Sequence, residues 1–114
     1  MHQHQNEHEI LRLVYMPLST ALKKQYRTIG HNLNPIVTIA GNGLSEPVLA
    51  ELDRALDDHE LIKVKLAITD RLARQETIQT LCHSCNAELV QEIGKVALIY
   101  RAAREPKVHK SNIR

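Results

Sequence analysis

Cys82 and Cys85 stand in the run Cys82-His83-Ser84-Cys85, a spacing used by redox thiol pairs and by half of a zinc site. A structural zinc needs four ligands, and these are the only two cysteines in the chain. Placed on a helix, Leu81, Cys82 and Cys85 can all face the core, so two buried thiols are the simpler reading. Asp57, Asp58 and Glu60 form a carboxylate cluster that could in principle serve acid–base chemistry. On a surface helix the same acids make a solvated face. No Walker loop and no H-E-x-x-H pattern occurs, and Gly41-Asn42-Gly43 lacks the third glycine of a dinucleotide fingerprint. The residues therefore point away from catalysis, a metal, a cofactor or a small-molecule substrate.

A different chemistry is open to Ala40-Gly41-Asn42-Gly43-Leu44. It follows a β-branched run and precedes a serine-capped helix, which makes it a tight strand-to-helix turn. Glycines there leave backbone N–H groups accessible, and a helix N-terminus adds partial positive charge, so the turn suits a phosphate. Basic residues gather elsewhere in the chain: Lys23, Arg27 and His31 at i, i+4 and i+8, the strand pair Lys63 and Lys65, then Lys95 and Arg101. With no Phe or Trp, base stacking across a sheet in the manner of RRM domains is not expected, and phosphate and shape contacts should dominate. The expected RNA-binding set is thus Ala40, Gly41, Asn42, Gly43, Lys23, Arg27, His31, Lys63, Lys65, Lys95 and Arg101.

Those residues need elements to hold them. Ser19 is a good N-cap for a first helix to about His31, with Leu22, Tyr26, Ile29 and Leu33 as its apolar stripe. Pro35 ends that helix by disfavouring helical geometry at Asn34. Ile36 to Ala40 reads as a buried strand, and Ser45 caps a second helix whose core face is Val48, Leu49, Leu52, Ala55 and Leu56, with the acids pointing outward. In Leu61 to Ala67 the alternation puts Ile62, Val64 and Leu66 on one face and Lys63 and Lys65 on the other. Asp70 caps a third helix through Cys85, and Leu89–Ile93 and Val96–Tyr100 form a hairpin across Gly94-Lys95. The order α-β-α-β-α-β-β implies an α/β fold, one compact domain with a four-stranded mixed sheet and three helices.

The 114 residues fit one domain, 43% apolar and 25% charged, with no apolar run long enough to span a bilayer. Residues 1–16 read as a flexible N-terminal extension, 17–103 as the domain and 104–114 as a basic tail. The polar, histidine-rich start lacks the order of a secretory signal, so a cytoplasmic location is expected. Net charge is only +2, but residues 45–60 hold six of the thirteen acids and a single base. The remainder is clearly basic, which suggests a polyanion-binding surface with an acidic back. The rival reading is a protein–protein adaptor that uses the acidic face of the second helix.

From Leu18 to about Pro106 the chain resembles the YhbY family, the bacterial stand-alone form of the CRM (chloroplast RNA splicing and ribosome maturation) domain. The residues that carry the likeness are Leu18-Ser19, Gly30-His31-Asn32-Leu33-Asn34-Pro35-Ile36-Val37, Gly41-Asn42-Gly43-Leu44-Ser45-Glu46 and Val48-Leu49-Ala50-Glu51-Leu52. His59-Glu60-Leu61-Ile62-Lys63-Val64-Lys65, Asp70-Arg71, Ile93-Gly94-Lys95 and Leu98-Ile99-Tyr100-Arg101 complete it. The resemblance implies a fold similar to the C-terminal domain of translation initiation factor three. It also implies binding of structured RNA and association with the large ribosomal subunit precursor. In that family a GXXG loop is the RNA-binding feature; it maps here onto Ala40 to Gly43, with Ala40 replacing the first glycine.

Overall fold

Three side-chain caps set where the helices begin, as a computed structural model describing residues 17–41 and 43–114 shows. Ser19 accepts from the Leu22 N–H at 3.1 Å and opens α1 (Thr20–Gly30). Strand β1 (Pro35–Ile39) follows, and Ser45 then accepts from the Val48 N–H at 3.4 Å to open α2 (Glu46–His59). After β2 (Leu61–Leu66), Asp70 accepts from the Ala73 N–H at 2.8 Å and opens α3 (Arg71–Cys85). Strands β3 (Glu88–Ile93) and β4 (Val96–Tyr100) form the closing hairpin. Each cap satisfies a backbone donor that the first helical turn would leave unpaired. The N-terminal extension expected at 1–16 lies outside the described residues, as does Asn42.

The sheet order is β1-β2-β4-β3. Strand β1 lies parallel to β2, a pairing that needs a crossover, which α2 supplies. The pairs β2–β4 and β4–β3 are antiparallel. One face of the sheet carries Val37, Ile39, Ile62, Val64, Leu66, Ala97 and Ile99 against Leu52 and Leu56 of α2 and Ile78, Leu81 and Cys85 of α3. Each fully buried aliphatic side chain there contributes roughly 1.5–3 kcal/mol. The opposite face is covered by α1, where Tyr26 packs with Leu61, Val90 and Leu98. Gly30 makes that approach close, since a Cβ at this position would stand 2.6 Å from a Leu98 methyl.

Three expectations need correction. Strand β1 is an edge strand buried on one side only: Val37 and Ile39 are inside, whereas Ile36 is 46% exposed and Thr38 is exposed. The acids of α2 do not simply face water. Glu60, the residue that ends the helix, is fully buried with φ +63°, and it accepts from the Ala103 N–H (3.0 Å), Ser111 Oγ (3.0 Å) and Arg114 Nε (2.7 Å). The basic tail is consequently docked. Lys107 pairs with Asp58, Asn112 donates from Nδ2 to the Leu61 carbonyl (2.7 Å), and Ile113 joins the Tyr26 cluster.

Candidate nucleic-acid interface

The turn after β1 is closed by a hydrogen bond from the Gly43 N–H to the Ala40 carbonyl at 3.0 Å. Gly43 has φ +87°, a conformation that strains any residue with a side chain. Gly41 has no such constraint: a Cβ there would meet only the Ala67 carbonyl, at 4.0 Å. Ala40 and Gly41 are exposed. The turn feeds straight into the N-terminus of α2, whose first unpaired N–H groups carry partial positive charge.

Two backbone bonds show what else lies at this end of the sheet. The Ala67 N–H donates to the Ile39 carbonyl (2.8 Å), and the Leu66 N–H donates to the Lys95 carbonyl (2.7 Å). The end of β2, the β3–β4 hairpin turn and the glycine turn therefore share one edge of the molecule. Lys65 is exposed there, flanked in the sheet by Thr38 and Val96, and Lys95 is exposed at the hairpin turn. Helix α3 starts at the same end, and Leu44 lines a cleft together with Ala73 and Thr77 of its first turns. That brings in Arg71, an exposed cation that charge counting overlooked. Its signal was present in the sequence as the residue directly after the N-cap Asp70.

The other expected residues sit elsewhere. Lys63 is half-buried on the α1 face of β2, in register with Pro35 and Leu98. Lys23 lies 3.9 Å from Glu88, which pairs with Tyr100 at the far end of the sheet. Arg27 follows one turn along α1, and His31 caps its C-terminus ahead of the start of β1. Arg101 is committed to the fold. It pairs with Asp53, donates from Nη2 to Asp57 Oδ1 (2.8 Å) and from Nη1 to the Cys85 carbonyl (2.9 Å). Its guanidinium is held against α2, so the structure removes it from the loop end. The same contacts, with Lys107 on Asp58 and Arg114 on Glu60, occupy four of the six acids on which an adaptor reading relied, and leave Glu46 and Glu51 exposed.

The cysteines are core thiols by position. Cys85 is buried, Cys82 is half-buried, and burial pushes the Cys82 thiol up to about 11. Burial also raises Cys85. Burial thus disfavours the thiolate, the nucleophilic form, at both. Among the described residues, no group of three or more His, Cys, Asp or Glu side chains is placed to hold a metal ion.

Comparison with known proteins fits this geometry. The probable RNA-binding protein PA4753 of Pseudomonas aeruginosa is 52% identical over 98 residues, covering 86% of this chain and 94% of that protein. An RNA-binding protein of Haemophilus influenzae is 45% identical over 91 residues, covering 80% and 92%. The solution structure of SAV1595 from Staphylococcus aureus, described as a candidate RNA-binding protein, superposes with a TM-score of 0.71 at 34% identity, covering 81% of this chain and 96% of that one. The CRS1/YhbY (CRM) domain model matches residues 18–101. A match across the whole sheet and all three helices, with relatives covered almost end to end, leaves one assignment: the chain belongs to the CRS1/YhbY (CRM) domain family.

Proposed function

We propose that this protein is a non-catalytic, cytoplasmic RNA-binding factor in ribosome assembly that holds structured RNA of the large-subunit precursor by its phosphate backbone. The observation that carries this reading is the convergence at one end of the sheet. The Ala40–Gly43 turn, the start of α2, Lys65, Lys95 and Arg71 all lie there. Backbone N–H groups and flexible cations contact phosphates without reading sequence, which suits recognition of RNA by shape. The relatives named as RNA-binding proteins support the choice of polyanion.

The test is a filter-binding titration with large-subunit precursor RNA. Gly41→Asp is the informative variant, because its backbone tolerates a side chain while the carboxylate places negative charge at the turn. Affinity should fall about tenfold, roughly 1.4 kcal/mol, with the circular dichroism spectrum unchanged. Wild-type affinity in a folded Gly41→Asp protein would take the turn out of the mechanism. Gly43→Asp is the poorer choice, since its positive φ mixes backbone strain with charge.

A further inference from the structure

The run Asn32-Leu33-Asn34-Pro35-Ile36 joins α1 to β1 at the end of the strand away from the glycine turn. Strand β1 begins late: its first residue, Pro35, pairs with Lys63, so Leu61 and Ile62 of β2 extend past it. This leaves a notch of about 300 Å³ at the sheet edge. Its walls include Asn32, Asn34, Ile36, His59, Lys63 and Asn112, the last from the docked tail. That volume is at the lower end of the range for small-molecule sites, enough for one flat group and too small for a helix.

We propose that this notch takes a single unstacked RNA nucleotide, its base against Ile36 and its hydrogen-bonding edge on the Asn32 and Asn34 amides. The inference rests on the RNA-binding reading above and adds to it a second contact that selects unpaired nucleotides. Asn32 and Asn34 are exposed, and their side-chain amides join none of the hydrogen bonds among the described residues. Each amide offers both donors and an acceptor, the complement of a base edge. Ile36 supplies exposed apolar surface for a base face. Two further walls are already fixed. The His59 ring nitrogen Nδ1 lies 2.7 Å from the Lys110 carbonyl, so it donates there and the ring is held in place. Asn112 donates from Nδ2 to the Leu61 carbonyl at 2.7 Å, which leaves its Oδ1 free to accept. Among the described residues no carboxylate lines the notch, and Lys63 is its one lysine or arginine, suited to the phosphate of the same nucleotide. The five residues of β1, about 16 Å at roughly 3.3 Å per residue, join this notch to the glycine turn. One strand of RNA can therefore engage both.

The experiment uses the full chain and three hairpin RNAs with the same stem: fully paired, carrying one bulged nucleotide, and carrying one abasic bulge. Wild-type protein should bind the bulged hairpin about tenfold more tightly than the paired one, with the abasic hairpin behaving like the paired RNA. In the Asn32→Ala/Asn34→Ala double variant the preference should shrink to within twofold while affinity for the paired hairpin is kept. Both asparagines are exposed, so the fold is expected to survive, and circular dichroism checks it. Equal binding of all three RNAs by wild type, or a preference that persists in the double variant, overturns the proposal. So does an abasic bulge that binds as well as the intact one. Gly41→Asp separates this from the parent reading: it should weaken binding to every hairpin alike and leave the bulge preference in place. If Gly41→Asp instead matches wild type on all three, the glycine turn fails and the notch is judged on the asparagine variant alone.

Discussion

Glu60 carries no exposed surface, yet its carboxyl group stays ionised. Burial pushes it upward, but hydrogen bonds from Arg114, the Ala103 N–H and Ser111 outweigh burial and hold it below the ordinary value of 4.5. A carboxyl lowered in the folded state contributes stability above its unfolded value and loses that contribution as pH falls. Stability should therefore decline as pH drops below about 4.5, and Glu60→Gln should flatten that decline. The variant should also cost about 2 kcal/mol at neutral pH, the scale for leaving buried partners unsatisfied. Urea titrations across pH check both. At Cys85 the expectation is different. Cys85→Ala removes a buried thiol from the α2–α3 face and should cost about 1 kcal/mol while leaving RNA affinity unchanged. Stoichiometric zinc in wild type, lost in that variant, would contradict a purely packing role.

At the level of elements, much was legible in the sequence. Ser19, Ser45 and Asp70 marked the helix starts because capping is local, and the Ile62-Lys63-Val64-Lys65-Leu66 alternation sorted the two faces of β2 because strand period is local too. What was not legible depends on distant pairing. The docking of residues 101–114 onto the end of α2 joins positions 43 to 54 apart, and nothing near Arg101, Lys107 or Arg114 announces it. Charge asymmetry therefore suggested free cations where the fold uses several to hold its own acids. Strand β2 supplies the matching prediction. Lys63 and Lys65 point to the face that α1 only partly covers, away from the Ile62 and Val64 core. Changing both to Glu should weaken RNA binding by well over twofold, beyond about 0.4 kcal/mol, with the fold retained. Electrophoretic mobility shifts alongside circular dichroism would show this.

Across the whole molecule, two groups of cations stand in contrast. Lys65, Lys95 and Arg71 are exposed near the glycine turn, whereas Arg101, Lys107 and Arg114 are bound to the acids of α2. Of these two groups the first is free to displace counterions from RNA and the second is not, so removing the first and not the second should change how binding depends on salt. The most direct measurement is the slope of log affinity against log salt for wild type, for Lys65→Ala/Lys95→Ala and for Arg101→Ala/Lys107→Ala, all on large-subunit precursor RNA. The account predicts that the first variant loses about one unit of slope per lysine and that the second keeps the wild-type slope even as it loses stability. A loop-end variant with an unchanged slope, or a tail variant that loses slope while folded, would contradict it.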